Sequence, residues 1–330
     1  MNEMAGANSG APVQRNCPLC GASGGQPRWT KGALRIVRCA ECGMNFANPV
    51  TVEFASGAFY DRFAAPFYLS PDKLESDFAP VRFERELRWF RRFCPAGDVL
   101  DVGCSTGAFL HQLNVRFPGQ YRVTGTDVSG PALEHAASRG IAVLRDNVLD
   151  HDFGERRFDA ITFWAVLEHL VEPRQFLARA AHLLRPGGHL LALVPNLDSF
   201  ATRLLGARYR YVMPDHVNYF DAASLRRLIQ GESSLNVIAL GSTHFNPVVI
   251  AQDFRRRDER VPDAERARLL KRTTAWKQNP ALVPLRWLYR GLESCLGAVR
   301  LADNLIIVAQ KDDCLDCKGA SRSNQESFTA

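Results

Sequence analysis

The sequence predicts an α/β protein with a doubly wound, mostly parallel seven-stranded sheet and a small metal-binding module before it. Three observations support this prediction. Short apolar runs alternate with amphipathic helical stretches between residues 81 and 311, a glycine loop follows the first of these runs, and two C-x₂-C pairs lie near the N-terminus. Repeated strand–helix–strand units of this length form parallel sheets.

The N-terminal region is expected to consist of a disordered stretch, residues 1–14, and a zinc ribbon, residues 15–50. Four cysteines of the ribbon are spaced as C-x₂-C, eighteen residues and C-x₂-C: Cys17, Cys20, Cys39 and Cys42. Two knuckles with this spacing place four thiolates around one zinc ion. Such a site is structural because four cysteines leave no open position. A redox dithiol and free thiols are the alternatives.

The elements that follow can be read in order. Residues 51–80 are rich in Phe, Tyr, Pro and Ser without clear periodicity, which predicts a connecting segment, and residues 82–93 have the apolar spacing of a helix. Sheet strands are expected at 98–102, 121–126, 141–144, 158–164, 189–194, 235–240 and 304–309, and helices at 108–117, 130–139, 173–184 and 221–229. Ser129 is expected to cap the helix at 130–139, and Asp221 the one at 221–229. The Arg-Pro-Gly-Gly run at 185–188 is expected to end the helix before it.

The charge of the chain is concentrated in one segment. The formal net charge is +6, and residues 251–290 hold eleven Lys or Arg against five Asp or Glu. We expect a helical insertion at about 251–300. It is suited to nucleic acid, an anionic substrate or a membrane surface, or it is a solvated face with interleaved ion pairs. Residues 312–330 are expected to be a flexible tail in which Cys314 and Cys317 bind no metal.

Composition and termini limit the class of protein. The 330 residues are 46% hydrophobic and 23% charged, as in ordinary globular proteins. No apolar run reaches the roughly 18 residues that span a bilayer. Residues 1–12 lack the basic and apolar segments of a secretory signal. Nine cysteines, an odd count with close pairs, favour a reducing compartment. A cytoplasmic location is therefore expected.

The glycine loop at Val99–Gly107 lies where open α/β sheets bind ligands, at the carboxyl end of a strand. Its pattern is Asp-x-Gly-x₃-Gly, formed by Asp101, Gly103 and Gly107. It lacks the second glycine of a dinucleotide loop and the Gly-Lys-Ser/Thr of a Walker loop. Asp127 ends the second strand, where an acid can accept hydrogen bonds from a ribose diol. Asp146 follows the third strand, within reach of an adenine amino group.

Five segments, in order, resemble the class I S-adenosylmethionine-dependent methyltransferases: Val99–Gly107, Gly125–Ser129, Arg145–Asn147, Phe158–Leu170 and Leu184–Gly188. The resemblance implies the Rossmann-like methyltransferase fold over residues 80–310 and S-adenosylmethionine as cofactor. It also implies which residues bind that cofactor: Asp101 at the ammonium group; Gly103, Cys104, Ser105 and Gly107 at the methionyl part; Asp127 and Val128 at the ribose; Asp146 and Asn147 at the adenine. Trp164 would lie near the sulfonium, since cations favour aromatic faces. Asp127 as a helix cap, Asp146 as a loop acid and Trp164 as a core residue are the alternatives.

The acceptor side is less constrained by the sequence. His216, between the fifth strand and the next helix, is the candidate general base because its intrinsic pKa is near neutral. A structural bridge into that helix is the alternative role. Glu168 and His169 are expected to begin a helix, with capping and catalysis equally open to them. No Asn-Pro-Pro-Tyr segment follows the fourth strand, which argues against methylation of amino groups on bases.

The preferred function is therefore O- or C-methyl transfer to a small molecule, namely a sugar, a glycan-linked acceptor or a secondary metabolite. The N-terminal module resembles that of sugar C-methyltransferases, and the match stops at the module. An RNA methyltransferase that uses the ribbon and the basic insertion is one alternative, and a non-catalytic binding protein that keeps the fold is another. The methylated atom and the oligomeric state stay open.

Overall fold

The N-terminal unit of the computed structural model is a three-stranded antiparallel hairpin arrangement with two cysteine knuckles. The structure describes residues 12–51, 59–255, 261–279 and 282–313. Strands β1 (Gln26–Lys31), β2 (Leu34–Arg38) and β3 (Asn45–Ala47) pair in sequence order. Val13 also forms a bridge with Val50, so ordered structure begins ahead of the ribbon boundary expected at residue 15.

The large sheet confirms the predicted fold class. Its strands are β4 (Gly97–Val102), β5 (Tyr121–Thr126), β6 (Ala142–Leu144), β7 (Phe158–Trp164), β8 (Leu184–Pro195), β10 (Leu235–Thr243) and β11 (Asn304–Lys311). They lie in the order β10-β11-β8-β7-β4-β5-β6. The five strands from β8 to β6 are parallel, whereas β11 is antiparallel to both of its neighbours.

Eleven α-helices lie in the described part of the chain. They are α1 (Ala65–Tyr68), α2 (Pro71–Asp77), α3 (Glu84–Phe93), α4 (Ala108–Arg116), α5 (Gly130–Ser138), α6 (Pro173–Leu183), α7 (Phe200–Leu205), α8 (Ala222–Gln230), α9 (Pro247–Arg255), α10 (Asp263–Gln278) and α11 (Val283–Ala298). Asp221 caps α8 in a reciprocal capping box with Ser224, as predicted. Ser129 occupies the N-cap position of α5, but its side chain makes no capping hydrogen bond.

Side chains of β4 show how the sheet separates two cores. Val99 belongs to the apolar cluster of α3, α4 and α5, whereas Leu100 and Val102 belong to the cluster on the other face, with α6 and α8. Successive side chains of a strand point to opposite faces, so a strand buried on both sides carries apolar residues on both, as Val99, Leu100 and Val102 show. This double burial fixes β4 and hence the loop that follows it.

Two sequence expectations need correction. The Arg-Pro-Gly-Gly run was expected to precede the fifth strand, but β8 includes it: Phe158 pairs with Leu184, the register shifts, and Ala160 pairs with His189. The segment 51–80 was expected to have no regular elements. Its described part instead forms a π-helix at Tyr60–Ala64 and the helices α1 and α2, which are too short to show periodicity.

The described parts of the basic insertion are helical, and part of its charge is paired with the rest of the protein. Lys271 of α10 lies 3.1 Å from Asp72 and 2.8 Å from Glu75, both on α2. Arg266 of α10 lies over the ring of Phe67, 4.7 Å from its centroid. The helix α10 therefore docks on α1 and α2. Residues 256–260, and Cys314 and Cys317 of the tail, lie outside the described residues. No helix that the structure describes has the length and apolar character needed to cross a membrane.

The ribbon sheet has a fourth strand that comes from the second half of the chain. β9 (Asn218–Tyr219) pairs with β3, with Asn45 opposite Tyr219. The ribbon therefore shares a sheet with the larger domain, which the sequence did not reveal because the two strands are far apart along the chain.

Asn218 joins this shared sheet to the turn after β7. Its side-chain amide donates to the carbonyl oxygens of Leu167 (2.8 Å) and Leu170 (2.7 Å), and its Oδ1 accepts from Arg15 of the ribbon. The backbone N–H groups of Val217 and Asn218 donate to Glu168 O. We call these bonds the Asn218 cluster. They explain a third correction. Glu168 and His169 lie in a turn and do not begin a helix, because the carbonyl oxygens of this turn accept hydrogen bonds from Val217 and Asn218.

We predict that Asn218→Ala lowers the free energy of unfolding by about 2–4 kcal/mol, because buried carbonyls lose their donors and Arg15 loses its acceptor. Urea unfolding measures the change. Asn236→Ala removes an amide that is exposed and bonded to Asp312, and it should stay within about 0.5 kcal/mol of the parent. Equal losses in the two variants would contradict a structural role for the Asn218 cluster.

Candidate active site

The glycine loop forms a tight turn between β4 and α4. The N–H groups of Gly103 and Cys104 both donate to Thr126 O at the end of β5, at 2.7 and 3.0 Å. Gly103 and Gly107 have φ values of +74° and +72°, a region that favours glycine. A Cβ on Gly103 would lie 2.5 Å from Val166 Cγ2, and one on Gly107 would lie 2.9 Å from Ala136 Cβ. Both glycines are therefore required by conformation and by space.

Asp101 is a buried carboxyl group with one side-chain partner. The hydroxyl of Thr162 donates to Asp101 Oδ1 at 2.6 Å, and Asp101 is 2% exposed. Burial raises the pKa of Asp101 to about 7, with a further contribution from the charge of Asp127 and an opposing one from the Thr162 hydrogen bond. A carboxylate in such a place is stabilised by a cation, so the position suits an ammonium group.

Asp127 closes the turn from the neighbouring strand. Its Oδ2 accepts from Ser105 N at 2.8 Å and its Oδ1 from Ser129 N at 2.9 Å. Burial raises the pKa of Asp127, while these backbone N–H groups oppose the rise. A carboxylate has about four lone-pair sites, so each oxygen can still accept a hydroxyl. Val128 beside it is 44% exposed, which leaves an apolar surface at the edge of the loop.

The residues after β6 lie at the same edge of the sheet. The hydroxyl of Thr126 donates to Asp146 O at 2.9 Å, which ties this loop to the end of β5. The exposed Asp146 carboxylate lies 2.9 Å from His151 Nδ1. Asn147 Oδ1 accepts from Leu149 N, so its side chain shapes the turn. Both residues therefore lie at the same edge of the sheet as the glycine loop.

Cys104 and Trp164 are partly core residues. The Cys104 side chain is buried and packs in the cluster of α4, so only its backbone faces the loop. Trp164 is half-buried at the end of β7, with its ring 4.9 Å from that of Phe109. Its indole Nε1 is buried without a hydrogen-bond partner among the described residues. The ring serves the core, and this N–H is a donor still to be satisfied.

His216 meets His169 and Asp215 beyond the ends of β7 and β8. The two imidazole rings lie 4.6 Å apart, centre to centre, and almost perpendicular. His169 Nδ1 lies 2.9 Å from Asp215 O and 3.8 Å from its carboxylate. Burial lowers the pKa of His216 to about 3, helped by His169 and opposed by Asp215. Burial also lowers the pKa of His169. Both imidazoles are therefore neutral at pH 7.

Glu168 is an acid whose part in the site the sequence left undecided. It is 1% exposed, and neither carboxyl oxygen has a partner among the described residues. Burial raises the pKa of Glu168 to about 8. Ligand atoms of Glu168, His169 and His216 all lie within 4.8 Å of one another. The group can exchange protons with a molecule bound beside it.

Aromatic side chains surround the histidines. Tyr60 from the π-helix makes an edge contact with His169, with ring centres 6.2 Å apart, and Tyr211 is stacked with His216 at the same separation. Burial raises the pKa of both tyrosines, so both hydroxyls keep their protons. Neither tyrosine was predicted from the sequence as a residue of the site. The only signal for Tyr60 was the aromatic richness of residues 51–80.

The four ribbon cysteines converge, as their spacing predicts. Sγ of Cys17 lies 3.5 Å from that of Cys42, and Sγ of Cys20 lies 3.6 Å from that of Cys39; all four atoms lie within 4.8 Å of one another. A disulfide requires about 2.05 Å, whereas tetrahedral thiolates at 2.3 Å from zinc are about 3.8 Å apart. The donor set and its geometry fit a zinc ion.

Comparisons with known proteins show similarity to methyltransferases. Residues 76–237 match a family model described as a methyltransferase domain. The chain is 29% identical over 194 residues to the ubiquinone biosynthesis O-methyltransferase of Serratia proteamaculans. The alignment covers 53% of this chain and 79% of that protein. The protein of the same name from Alkalilimnicola ehrlichii is 34% identical over 120 residues, 34% of this chain and 47% of that protein. Among solved structures, a SAM-dependent methyltransferase from Thermotoga maritima has a TM-score of 0.51 at 15% identity, covers 77% of this chain and 99% of its own, and shares the fold.

Proposed function

The chain belongs to the class I S-adenosylmethionine-dependent methyltransferases, and on this premise we propose that it methylates a hydroxyl oxygen of a small-molecule acceptor. The observation that carries the proposal is the imidazole pair of half-buried His169 and buried His216, with Asp215 beside it. Removal of a hydroxyl proton needs a neutral base, and both imidazoles are neutral. The name of the relatives, ubiquinone biosynthesis O-methyltransferase, supports an oxygen acceptor.

The size and character of the site support a small acceptor. The histidines lie beside the half-buried rings of Tyr60 and Tyr211, which favour a compact, partly apolar molecule. An RNA acceptor would use the cations of the insertion, but Lys271 and Arg266 are engaged with α1 and α2. The acceptor classes that the sequence suggested, a sugar, a glycan-linked molecule or a secondary metabolite, all carry hydroxyls.

The residues at the ends of β4 to β7 fit the methyl donor. When bound, S-adenosylmethionine supplies an activated methyl group on a sulfonium. The Asp101 carboxylate would hold its ammonium, the loop Gly103–Gly107 its methionyl chain, and Asp127 with Val128 its ribose. Asp146 and Asn147 would border the adenine, and Trp164 would lie near the sulfonium. The structural observation that supports this fit is that the buried Asp101 carboxyl group is paired with no cation among the described residues.

His216 is proposed to accept the acceptor's proton, with His169 and Asp215 as its support. Asp215 keeps its negative charge: burial raises its pKa, but a backbone hydrogen bond and the Arg266 guanidinium help to hold that pKa below its usual value. A negative charge beside the imidazoles stabilises the imidazolium that proton transfer creates. The carboxyl of Glu168, protonated below about pH 8, is placed to donate a hydrogen bond to the same acceptor.

We predict that cofactor affinity falls as pH drops below about 7. The ionised Asp101 binds the cation, its pKa in the free protein is about 7, and the ionised fraction decreases about tenfold per pH unit below it. Calorimetric titration with S-adenosylmethionine over a pH series measures this. Asp101→Asn, which imitates the protonated form, should bind weakly and with a flatter pH profile. The exposed Asp150→Asn is the control. A parent-like profile for Asp101→Asn would contradict the assignment.

His216→Asn is expected to lower kcat on the order of a hundredfold or more, because proton removal loses its base. Cofactor affinity should stay unchanged. Turnover of hydroxylated acceptors, measured as S-adenosylhomocysteine release, gives the result, and the exposed His182→Asn serves as control. If His216→Asn only lowers the melting temperature and keeps kcat, the residue is a structural bridge.

The ribbon is proposed to hold one structural zinc ion through Cys17, Cys20, Cys39 and Cys42. Bound there, zinc would stabilise the two knuckles, and no methyl-transfer step passes through it. Cys20→Ser should reduce zinc content, measured by elemental analysis, from about one per chain to a small fraction and should lower the melting temperature. Cys295→Ser, on α11, should keep the metal. Full zinc content in Cys20→Ser would favour the redox or free-thiol alternative.

A further inference from the structure

Helix α11 of the insertion is attached to the protein by one face. The hydroxyl of Tyr289 donates to Phe245 O, and the carboxylate of Glu293, 3% exposed, accepts from Arg85 of α3. Leu296 packs against the apolar cluster that α7 and α9 also line. These contacts fix which side of α11 faces the protein.

The opposite face of α11 is apolar and faces solvent. Trp287 is 68% exposed, Leu288 72%, Leu292 50%, and Val299 just past the helix end 63%. With 3.6 residues per turn, these positions fall within an arc of about 140°. The other residues of that arc are uncharged as well: Pro284, Gly291, Cys295 and Ala298. A helix on a globular protein normally turns its apolar stripe inward, so this helix has a second stripe without a partner in the chain.

Two neighbouring helices extend this surface. α7 and α9 bury one side in the same cluster as α11 and expose large apolar side chains on the other. The exposed residues are Phe200 and Leu204 of α7 and Val248 and Phe254 of α9. Phe200 N donates to Leu301 O, directly after the end of α11, so the helices meet there. We call the exposed side chains of α7, α9 and α11 the apolar face.

The charges around the apolar face are positive. The sequence of α11 contains one acid, Glu293, and that residue is buried. Arg290 and Arg300 are exposed beside the stripe, and Arg290 also lies 3.4 Å from Glu84 of α3. In the sequence, residues 251–290 hold eleven basic and five acidic residues, and of the basic ones Lys271 and Arg266 contact α2 and α1. A second copy of this face would bring like charges together. Nucleic acid would meet the cations but gain little from exposed leucine and valine side chains.

We propose that the apolar face is a docking site for an anionic lipid bilayer, with α11 lying in the plane of the interface. Interfacial helices combine an apolar side that enters the acyl boundary with cations that meet acidic headgroups. Tryptophan is enriched at this boundary because its ring is amphipathic. Each Lys or Arg near an anionic surface strengthens binding about fivefold. The proposal does not depend on methyl transfer.

The test uses the full-length protein and lipid vesicles in a co-sedimentation assay. The parent should bind vesicles of phosphatidylcholine mixed with phosphatidylglycerol and bind phosphatidylcholine alone more weakly, with salt reducing the difference. Leu288→Glu/Leu292→Glu should lower binding about tenfold or more. Val115→Glu/Ile238→Glu makes the same charge change at exposed apolar residues outside the face, and it should bind as the parent does. Calorimetric binding of S-adenosylmethionine should be unchanged in both variants, which separates this test from that of the proposed function.

Three outcomes would overturn the proposal. The first is a parent protein that leaves anionic vesicles unbound. The second is an equal loss of binding in both double variants, which would show a general charge effect. The third is binding of single-stranded RNA, or self-association in light scattering, that Leu288→Glu/Leu292→Glu abolishes while vesicle binding is unaffected.

Discussion

The arrangement of the acceptor side depends on the side chain of Asn218. One amide donates to two carbonyl oxygens of the turn after β7, and its oxygen accepts from an arginine of the ribbon. These polar groups are buried, so each needs its partner. The consequence is geometric: Glu168 and His169 on the turn, and His216 two residues before Asn218, are held together although almost fifty residues separate them in the chain.

This constraint gives the ribbon a role in the site. Arg15 lies against the ring of Phe46 and bonds to Asn218, and β3 pairs with β9 immediately after His216. The cysteine knuckles therefore belong to the unit that holds a strand bordering the proposed base. The glycine loop on the proposed methyl-donor side is held separately from this arrangement. It is fixed by β4 and β5 and by backbone N–H groups that donate to Thr126 O and to the Asp127 carboxylate.

The glycine turn on the proposed donor side was predictable from sequence, and most of the proposed acceptor side was not. Asp101, Gly103 and Gly107 lie in one local turn whose backbone conformation requires glycine, so their spacing predicted the turn. The four cysteines likewise form two short turns. Tyr60 and Tyr211 meet the histidines only through long-range packing, and short helices starting at prolines left no periodicity near Tyr60. The sequence predicted a helix beginning at Glu168 and His169. The structure has a turn there, because the donors to its carbonyl oxygens are residues 217 and 218, which are distant along the chain.

The shared sheet of ribbon and larger domain also determines where this protein can be divided. The family match begins at residue 76, which invites removal of everything before it. Such a cut would uncover the edge of β9 and the surface that Phe46 and Met44 cover in the main core. An exposed strand edge beside an uncovered apolar surface promotes aggregation. The chain has two sequence modules but one folding unit, so an exchange of ribbons between relatives would have to carry β9 along with them.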